Sequence, residues 1–498
     1  MIYYLFPMKT FIRLFTLILT LPVFSQTDGD DIVIGKYRKL HSSVTNEDRT
    51  LLVCLPRSYN DSILSYPVVY LLYGQNTSAY LLPTITASDM LSASGVIPEM
   101  IIIGVASAER YRDYSSIADG YIENTVKFFR DELFTFVERN YRTTDYRIVI
   151  GPQAGAVFSF YTLLKHPDLF NAYILENPFV WQNRELLYQM TTNTFSGTMR
   201  LNRFLFIKDE KDSRPESLET AGQFSDWLKS NTPEGFRFHY CLEEPSGYFV
   251  TPVPAKEGLQ KLFEHYALPA DLKVEKVEDI IECYRKKGNE FGSVFNVPEH
   301  VLTMECDKLM EAGKHNEQAA LLHYMLSVYP RSLNAMLRMG DLKRTQGEYQ
   351  SAIAYYDKFL NIMPTDAIAI RNRRDNLSKY INESLVYQLE KDIFSIGIDE
   401  AIRNFRRINS SGENKLTINE NDLNTLGYAL LNRRMNEESI KVFKLALELY
   451  PNSANLYDSI GEACMKSGDK KHAILNYEKS LKLNPGNENA KKMLENLK

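Results

Sequence analysis

The residues Gly151-Pro152-Gln153-Ala154-Gly155 lie between a strand-like run, Tyr146 to Ile150, and a helical segment that begins at once. A strand, a sharp turn and a helix are what lift a nucleophilic serine out of a GxSxG turn, beside the backbone N–H groups that stabilise an oxyanion. Here the third place of the turn holds a carboxamide. An amide has no hydroxyl to deprotonate and its nitrogen is not nucleophilic, so acyl transfer cannot begin at Gln153. The chain contains no other GxSxG, and Ser159, six residues on, falls inside the helix and does not project from the turn.

Other reactive side chains are scattered. The eight histidines show neither HExxH nor paired-ligand spacing, so the sequence supplies no metal centre and implies no cofactor. His239 shares a strand-like run with Cys241 and reads as a core group, and His166, before Pro167, closes the helix after the turn, where a cation suits the helix dipole. The five cysteines, at 54, 241, 283, 306 and 464, are odd in number and lack CxxC spacing, which reads as buried free thiols.

These groups need a framework, and 498 residues exceed what one core holds, so two or more domains are expected. The composition is 44% hydrophobic and 24% charged, with a net charge of −5 and no long basic run. That excludes an electrostatic surface for nucleic acid or anionic membrane. Residues 1–25 read as a signal peptide: Lys9 and Arg13, the apolar run Leu14 to Phe24, and small residues at Val23 and Ser25 before Gln26. The apolar run is about half of the roughly 20 residues a spanning helix needs. The expectation is a periplasmic or secreted protein with no membrane span after signal removal.

From residue 31 to about 268, strand and helix signals alternate. Apolar runs at 50–55, 67–73 and 100–105 precede an amphipathic helix at 121–141, the elbow strand, and further runs at 172–175, 204–207 and 236–241. That is an α/β pattern with a mostly parallel sheet covered on both faces. Residues 269–298 read as a helical connector.

From 299 to 498 the pattern is helical with a countable repeat. Pro330 and Pro364 are 34 apart, as are Pro451 and Pro485. Gly340, Gly427 and Gly461 then share the small eighth position, and Tyr356, Phe443 and Tyr477 the aromatic twenty-fourth. This is tetratricopeptide spacing. Units fall at 333–366, 420–453 and 454–487, with a degenerate one at 299–332, a distorted helical pair within 367–419, and a polar capping helix from Lys491.

In order and spacing, "YPVVYLLYGQN" (66–76), "IPEMIIIGVASAERYRDYSS" (97–116), the elbow with "LLKHPDLFNAYILENPFVWQN" (163–183), "VPAKEGLQKLF" (253–263) and the repeats resemble the esterase family of the enterochelin-esterase and esterase D type. The subgroup carrying tetratricopeptide repeats after the hydrolase domain is the most similar. The resemblance implies an α/β-hydrolase fold over 26–268, followed by the all-α repeat domain. It places the family's nucleophile on Gln153. The family's histidine comes eleven residues before a glycine that opens the last helix; counting back from Gly258 reaches Gly247. The acid is expected among Asp209, Glu210 and Asp212, and the oxyanion donors are backbone N–H groups of Ala154 and of the Gly74 to Asn76 turn.

With both the serine and the histidine replaced, the reading is a non-catalytic ligand- or protein-binding scaffold. The alternative is an active carboxylic-ester hydrolase, on a carbohydrate or siderophore ester, with an unrecognised nucleophile. The resemblance lines the cleft with Tyr73, Gly74, Gln75, Asn76, Gln153 and Ala154. Arg110, Arg112, Asp113, Trp181 and Tyr248 complete it, although Arg112-Asp113 also reads as an ion pair bracing its loop. Such a cleft suits a small-molecule or glycan ligand, and the repeats a protein or peptide partner.

Overall fold

The computed structural model describes residues 33–178, 184–196, 200–211, 213, 215–244, 253–364, 367–411 and 416–497. Two compact units divide at Ala335 and Met336. Residues 1–25, read from the sequence as a signal peptide, lie outside the described residues.

The first unit is built on eight strands: β1 (Lys36–Ser42), β2 (Glu47–Cys54), β3 (Tyr66–Leu72), β4 (Ile101–Val105), β5 (Thr143–Pro152), β6 (Ala172–Glu176), β7 (Phe204–Glu210) and β8 (Arg237–Glu243). They form one sheet in the order β1-β2-β4-β3-β5-β6-β7-β8. β2 runs antiparallel to β1 and β4, and β4, β3 and β5 to β8 are parallel. β3 and β4 are buried at every residue, as continuous apolar strands covered on both faces must be. Neighbours on β6 show the two layers. Ile174 packs against Gly258 of the helix Val253–Leu262, while Leu175 shares a small apolar cavity of about 40 Å³ with Phe160 of the elbow helix, Ala154–Lys165.

The apolar runs found in the sequence all become strands, but β1 escapes that reading. Its residues KYRKLHS are mostly exposed on the sheet edge and carry no apolar run. The helix expected at 121–141 forms as Ile122–Lys127 and Phe134–Asn140, joined through the π-helical turn Phe128–Leu133. None of the five cysteines is in a disulfide, and Cys54, Cys306 and Cys464 are buried.

The helix-only pattern begins at 299, yet the helices Glu299–Glu311 and His315–Val328 belong to the first unit. Hydrogen bonds tie this region to the β2–β3 connection. The Ile63 N–H donates to the Val328 carbonyl at 3.1 Å, Arg331 pairs with Asp61 at 3.1 Å, and Asn296 donates to the Ser65 carbonyl at 2.9 Å.

The second unit contains the repeat helices, and its small and aromatic positions meet as their spacing implies. A Cβ on Gly340, Gly427 or Gly461 would lie 2.5, 2.3 or 2.8 Å from a ring atom of Tyr356, Phe443 or Tyr477, respectively. Between 367 and 419 the chain forms three helices instead of one pair: Ile368–Glu383, Leu385–Ile396 and Ile398–Ser410. The breaks are local. The Ser384 hydroxyl accepts from the Val386 N–H to start one helix, and Gly397 takes a left-handed φ of 88° before the next. The last helix begins at Glu488, ahead of Lys491.

Candidate functional site

β3 and β5 lie side by side where the sheet's strand order changes direction, and ligands of open α/β sheets bind outside the strand ends at such a point. Three adjacent strands there run into non-glycine residues with left-handed backbone: Tyr73 after β3 (φ 64°), Gln153 after β5 (φ 52°) and Asn177 after β6 (φ 43°). Such conformations cost about 1–3 kcal/mol each, persist only where their surroundings over-determine them, and cluster at functional sites.

Gln153 has φ 52° and ψ −115°, and its N–H donates to the Glu176 carbonyl at 2.8 Å. Its carboxamide makes no capping hydrogen bond with the elbow helix. The N–H groups of Ala154 and Gly155, at the first turn, have no partner within that helix, as any helix start requires.

Tyr73 stands opposite them and is 4% exposed. Its ring stacks on Tyr80 at 6.2 Å, meets the edge of Tyr114 at 5.7 Å, and lies 5.8 Å beneath the Arg110 guanidinium. The hydroxyl is buried and completes no hydrogen bond. Burial pushes Tyr73 up to about 12, opposed by Arg110 and by the N–H groups of Ala154 and Gly155.

The rest of the turn holds this arrangement rigid. Gly74 donates to the Val105 carbonyl at 3.0 Å, and a Cβ there would lie 2.3 Å from the Gly104 carbonyl carbon. Because that clash is backbone on backbone, Gly74→Ala is expected to destabilise the first unit by about 1–3 kcal/mol, read from its urea midpoint. Gln75 clamps the loop after β4: its Nε2 donates to the Ser107 carbonyl at 2.6 Å and its Oε1 accepts from the Ser107 N–H at 3.2 Å. Asn76 accepts from the Ala79 N–H at 3.2 Å and starts the turn Thr77–Leu81.

Asp113 is engaged from every side. Arg49 and Arg112 both pair with its carboxylate, the Ser107 hydroxyl donates to it at 2.7 Å, and Glu47 takes the second side of both arginines at 3.1 and 2.9 Å. Arg112 also lies 4.7 Å over the Tyr121 ring. Arg110, by contrast, is exposed and lies over Tyr73 and Tyr111 with no carboxylate paired to it among the described residues.

Of the residues singled out in the sequence, Tyr73, Arg110, Gln153 and Ala154 come together, while Gln75, Arg112 and Asp113 brace the loops beside them. Trp181, Tyr248, Gly247 and Asp212 lie outside the described residues. Ser159 donates to the Gly155 carbonyl at 2.9 Å inside the elbow helix, His166 lies 3.0 Å from Glu123, and the His239 ring packs 5.9 Å from Phe204. None of these faces Gln153 as a nucleophile with its base. Sequence reasoning missed the left-handed turns at Tyr73 and Asn177, for which no glycine gave a signal.

The esterase family model matches residues 42–203, and tetratricopeptide-repeat models match 334–365, 423–453 and 454–487. Over residues 42–203 the chain is thus similar to esterases, and over the later segments to tetratricopeptide repeats. The ferri-bacillibactin esterase BesA of Bacillus subtilis (strain 168) is 24% identical over 249 residues, which cover 44% of this chain and 86% of the relative. An uncharacterized protein of the same organism, YjcH, is 30% identical over 152 residues, 29% of this chain and 61% of its own. Among solved structures, an IroE-like serine hydrolase from Shewanella oneidensis matches 58% of this chain and 98% of its own at 19% identity, with a TM-score of 0.50, a likeness of fold.

In the first unit the strand ends expected to carry the acid hold a buried polar cluster. Asp209 lies within β7, fully buried, and neither carboxylate oxygen completes a hydrogen bond. Burial pushes it up to about 7, partly offset by the Tyr240 hydroxyl. On the opposite face, Lys208 is 1% exposed and lies 2.5 Å from Glu243 and 3.4 Å from Glu257. Cys241 joins those two carboxylates as the one group of potential metal ligands among the described residues, but the Lys208 ammonium already supplies the cation. Glu176, pushed up to about 8 by desolvation against the pull of Lys208, adds no charge beside Gln153 at neutral pH. Glu210 ends β7 half-buried.

A titration prediction follows from Asp209. Its proton leaves near 3.8 in an unfolded chain but near 7 here, so the folded state loses stability as pH rises between those values. Asp209→Asn is therefore expected to be more stable than the parent by about 1–3 kcal/mol at pH 8 and by much less at pH 5, in urea unfolding at both values.

Proposed function

We propose that this chain is an exported, non-hydrolytic member of the esterase family that holds a ligand at its strand ends and a partner protein on its repeats. The observation that carries this reading is Gln153 itself. It sits at the tip of the elbow in the strained backbone that presents a nucleophile, with a side chain that cannot attack an acyl group. The general-base position inferred from the sequence is Gly247, and a glycine cannot take a proton. Losing either group from a triad costs on the order of 10⁶ in turnover.

Holding instead of cleaving is supported by the donors at the same point: two N–H groups with no partner inside the elbow helix, the Gln153 carboxamide and the Arg110 guanidinium. Tetratricopeptide arrays present a concave surface suited to an extended peptide or a partner helix, which supports the second half of the proposal. The basic start and apolar run of residues 9–24 support export.

The test is ester hydrolysis by purified protein spanning residues 26–498. The expected release of p-nitrophenol from acetate and longer-chain esters equals that of the Gln153→Ala variant. Turnover abolished by an active-serine phosphonate probe contradicts the proposal.

A further inference from the structure

We propose that the free edge of β8 pairs antiparallel with β8 of a second copy of this chain, in the register that sets Tyr240 opposite itself. The inference is independent of what the elbow binds or cleaves.

β8 is the last strand of the sheet and, among the described residues, pairs only with β7. Its backbone direction is fixed at both ends. The Arg237 N–H donates to the Arg203 carbonyl at 2.9 Å, and the Glu243 carbonyl accepts from the Lys211 N–H at 2.9 Å. Successive residues of a strand turn their N–H and C=O groups to opposite sides, so Arg237, His239, Cys241 and Glu243 face β7. Phe238, Tyr240 and Leu242 face outward, and no backbone hydrogen bond among the described residues reaches them. Leu242 is also 44% exposed.

An open row of donors and acceptors is a template for another strand unless it is guarded. The two edges of this sheet differ in that respect. β1 carries Lys36, Arg38 and Lys39 within one short strand, and these repel a like strand. β8 carries only Arg237 and Glu243, one at each end, with the uncharged FHYCL between them.

That sequence complements its own reverse. With Tyr240 opposite Tyr240 of the partner subunit, Phe238 meets the partner's Leu242, and every outward residue donates and accepts once across a two-fold axis. Arg237 lies opposite the partner's Glu243 at both ends, and His239 opposite the partner's Cys241. Moving the axis to His239 or Cys241 leaves one outward residue of each copy with no partner in the strand, and a parallel alignment sets Arg237 beside its own copy. Both end groups are already held by their own chain, so they meet the partner preorganised. Arg237 lies over the rings of Phe204 and Phe291 at 5.1 and 5.2 Å, and Glu243 lies 2.5 Å from Lys208.

The experiment uses the full chain in reducing buffer, followed by sedimentation velocity over a wide concentration range, where a reversible monomer–dimer equilibrium is expected. Leu242→Pro removes an N–H that faces away from β7, so it spares the ladder inside the sheet and is expected to weaken the dimer about a hundredfold. An unchanged urea midpoint shows that the variant is folded. His239→Cys is read after mild oxidation with copper phenanthroline. Non-hydrogen-bonded antiparallel pairs bring Cα atoms to about 4.5 Å, within disulfide reach, whereas two thiols at alternate positions of one strand are roughly 6.8 Å apart. A covalent dimer is therefore expected, with position 239 joined to the partner's Cys241 in the peptide map, and the parent treated alike stays unlinked. Should Leu242→Pro fail to fold, this cross-link decides alone. A chain monomeric at every concentration, a dimer indifferent to folded Leu242→Pro, or an oxidised parent linked through Cys241 of both copies would each overturn the proposal.

Discussion

Gln153→Ser is expected to stay at background in ester turnover, on the order of 10⁶ below a complete triad. A serine at the tip inherits the right backbone, φ 52° and ψ −115°, and the right helix behind it. It lacks a base. His166 pairs with Glu123 at the opposite end of the elbow helix and His239 lies within β8, three strands from β5, so neither stands at the tip to take the proton, and the residue at the inferred histidine position is Gly247. Release of p-nitrophenol by the variant, with its fold checked by circular dichroism, should match the parent. A burst of product would reveal a base near the elbow.

The second large effect concerns stability. Arg49→Met is expected to destabilise the first unit by about 3–5 kcal/mol, because it strips a partner from a buried carboxylate. Arg49 is 6% exposed and Asp113 is 1% exposed, and that carboxylate anchors the segment from Ser107 to Arg112 through side-chain contacts. The Thr125 hydroxyl, donating to the Asp113 carbonyl at 2.8 Å, ties the same residue to the helix Ile122–Lys127. The double variant Arg49→Met/Asp113→Leu should recover part of the loss, since replacing a buried pair by apolar groups is often near neutral. Urea unfolding of the parent, two single variants and the double variant gives the cycle; a double variant as unstable as the sum of the singles would show that the pair is not the coupled unit described.

What could be read from the sequence follows how local each constraint is. Gly461 and Tyr477 meet because tetratricopeptide helices bring the eighth and twenty-fourth positions of one repeat together, so their spacing alone announces the contact. β3 and β4 announce themselves because both faces are covered and no polar residue interrupts them. β1 stays silent because an exposed edge strand needs no apolar residues. The break at Gly397 turned one expected helical pair into three helices between 367 and 419, a count that depends on a single left-handed glycine.

Within the site, the elbow was legible because glycines and proline surround a tip residue. The role of Tyr73 was not. It depends on a left-handed turn at a tyrosine, which sets the ring among Tyr80, Tyr114 and Arg110. Gln75 and Asp113 look like ligand groups by type, and only the contacts show them bound to Ser107 and Arg49. Asp209 falls within β7 instead of the loop beyond it, because the parallel pairing with β8 continues through Asp209↔Leu242 to Glu210↔Glu243.

The most direct measurement is the intact mass of the full chain after prolonged incubation with a fluorophosphonate and, separately, with a p-nitrophenyl ester. An unmodified mass in both cases is the predicted result, since no described hydroxyl or thiol stands beside a base at the ends of β3, β5 and β6. A stoichiometric adduct mapping to a residue at those strand ends would contradict the account and make the chain a working hydrolase.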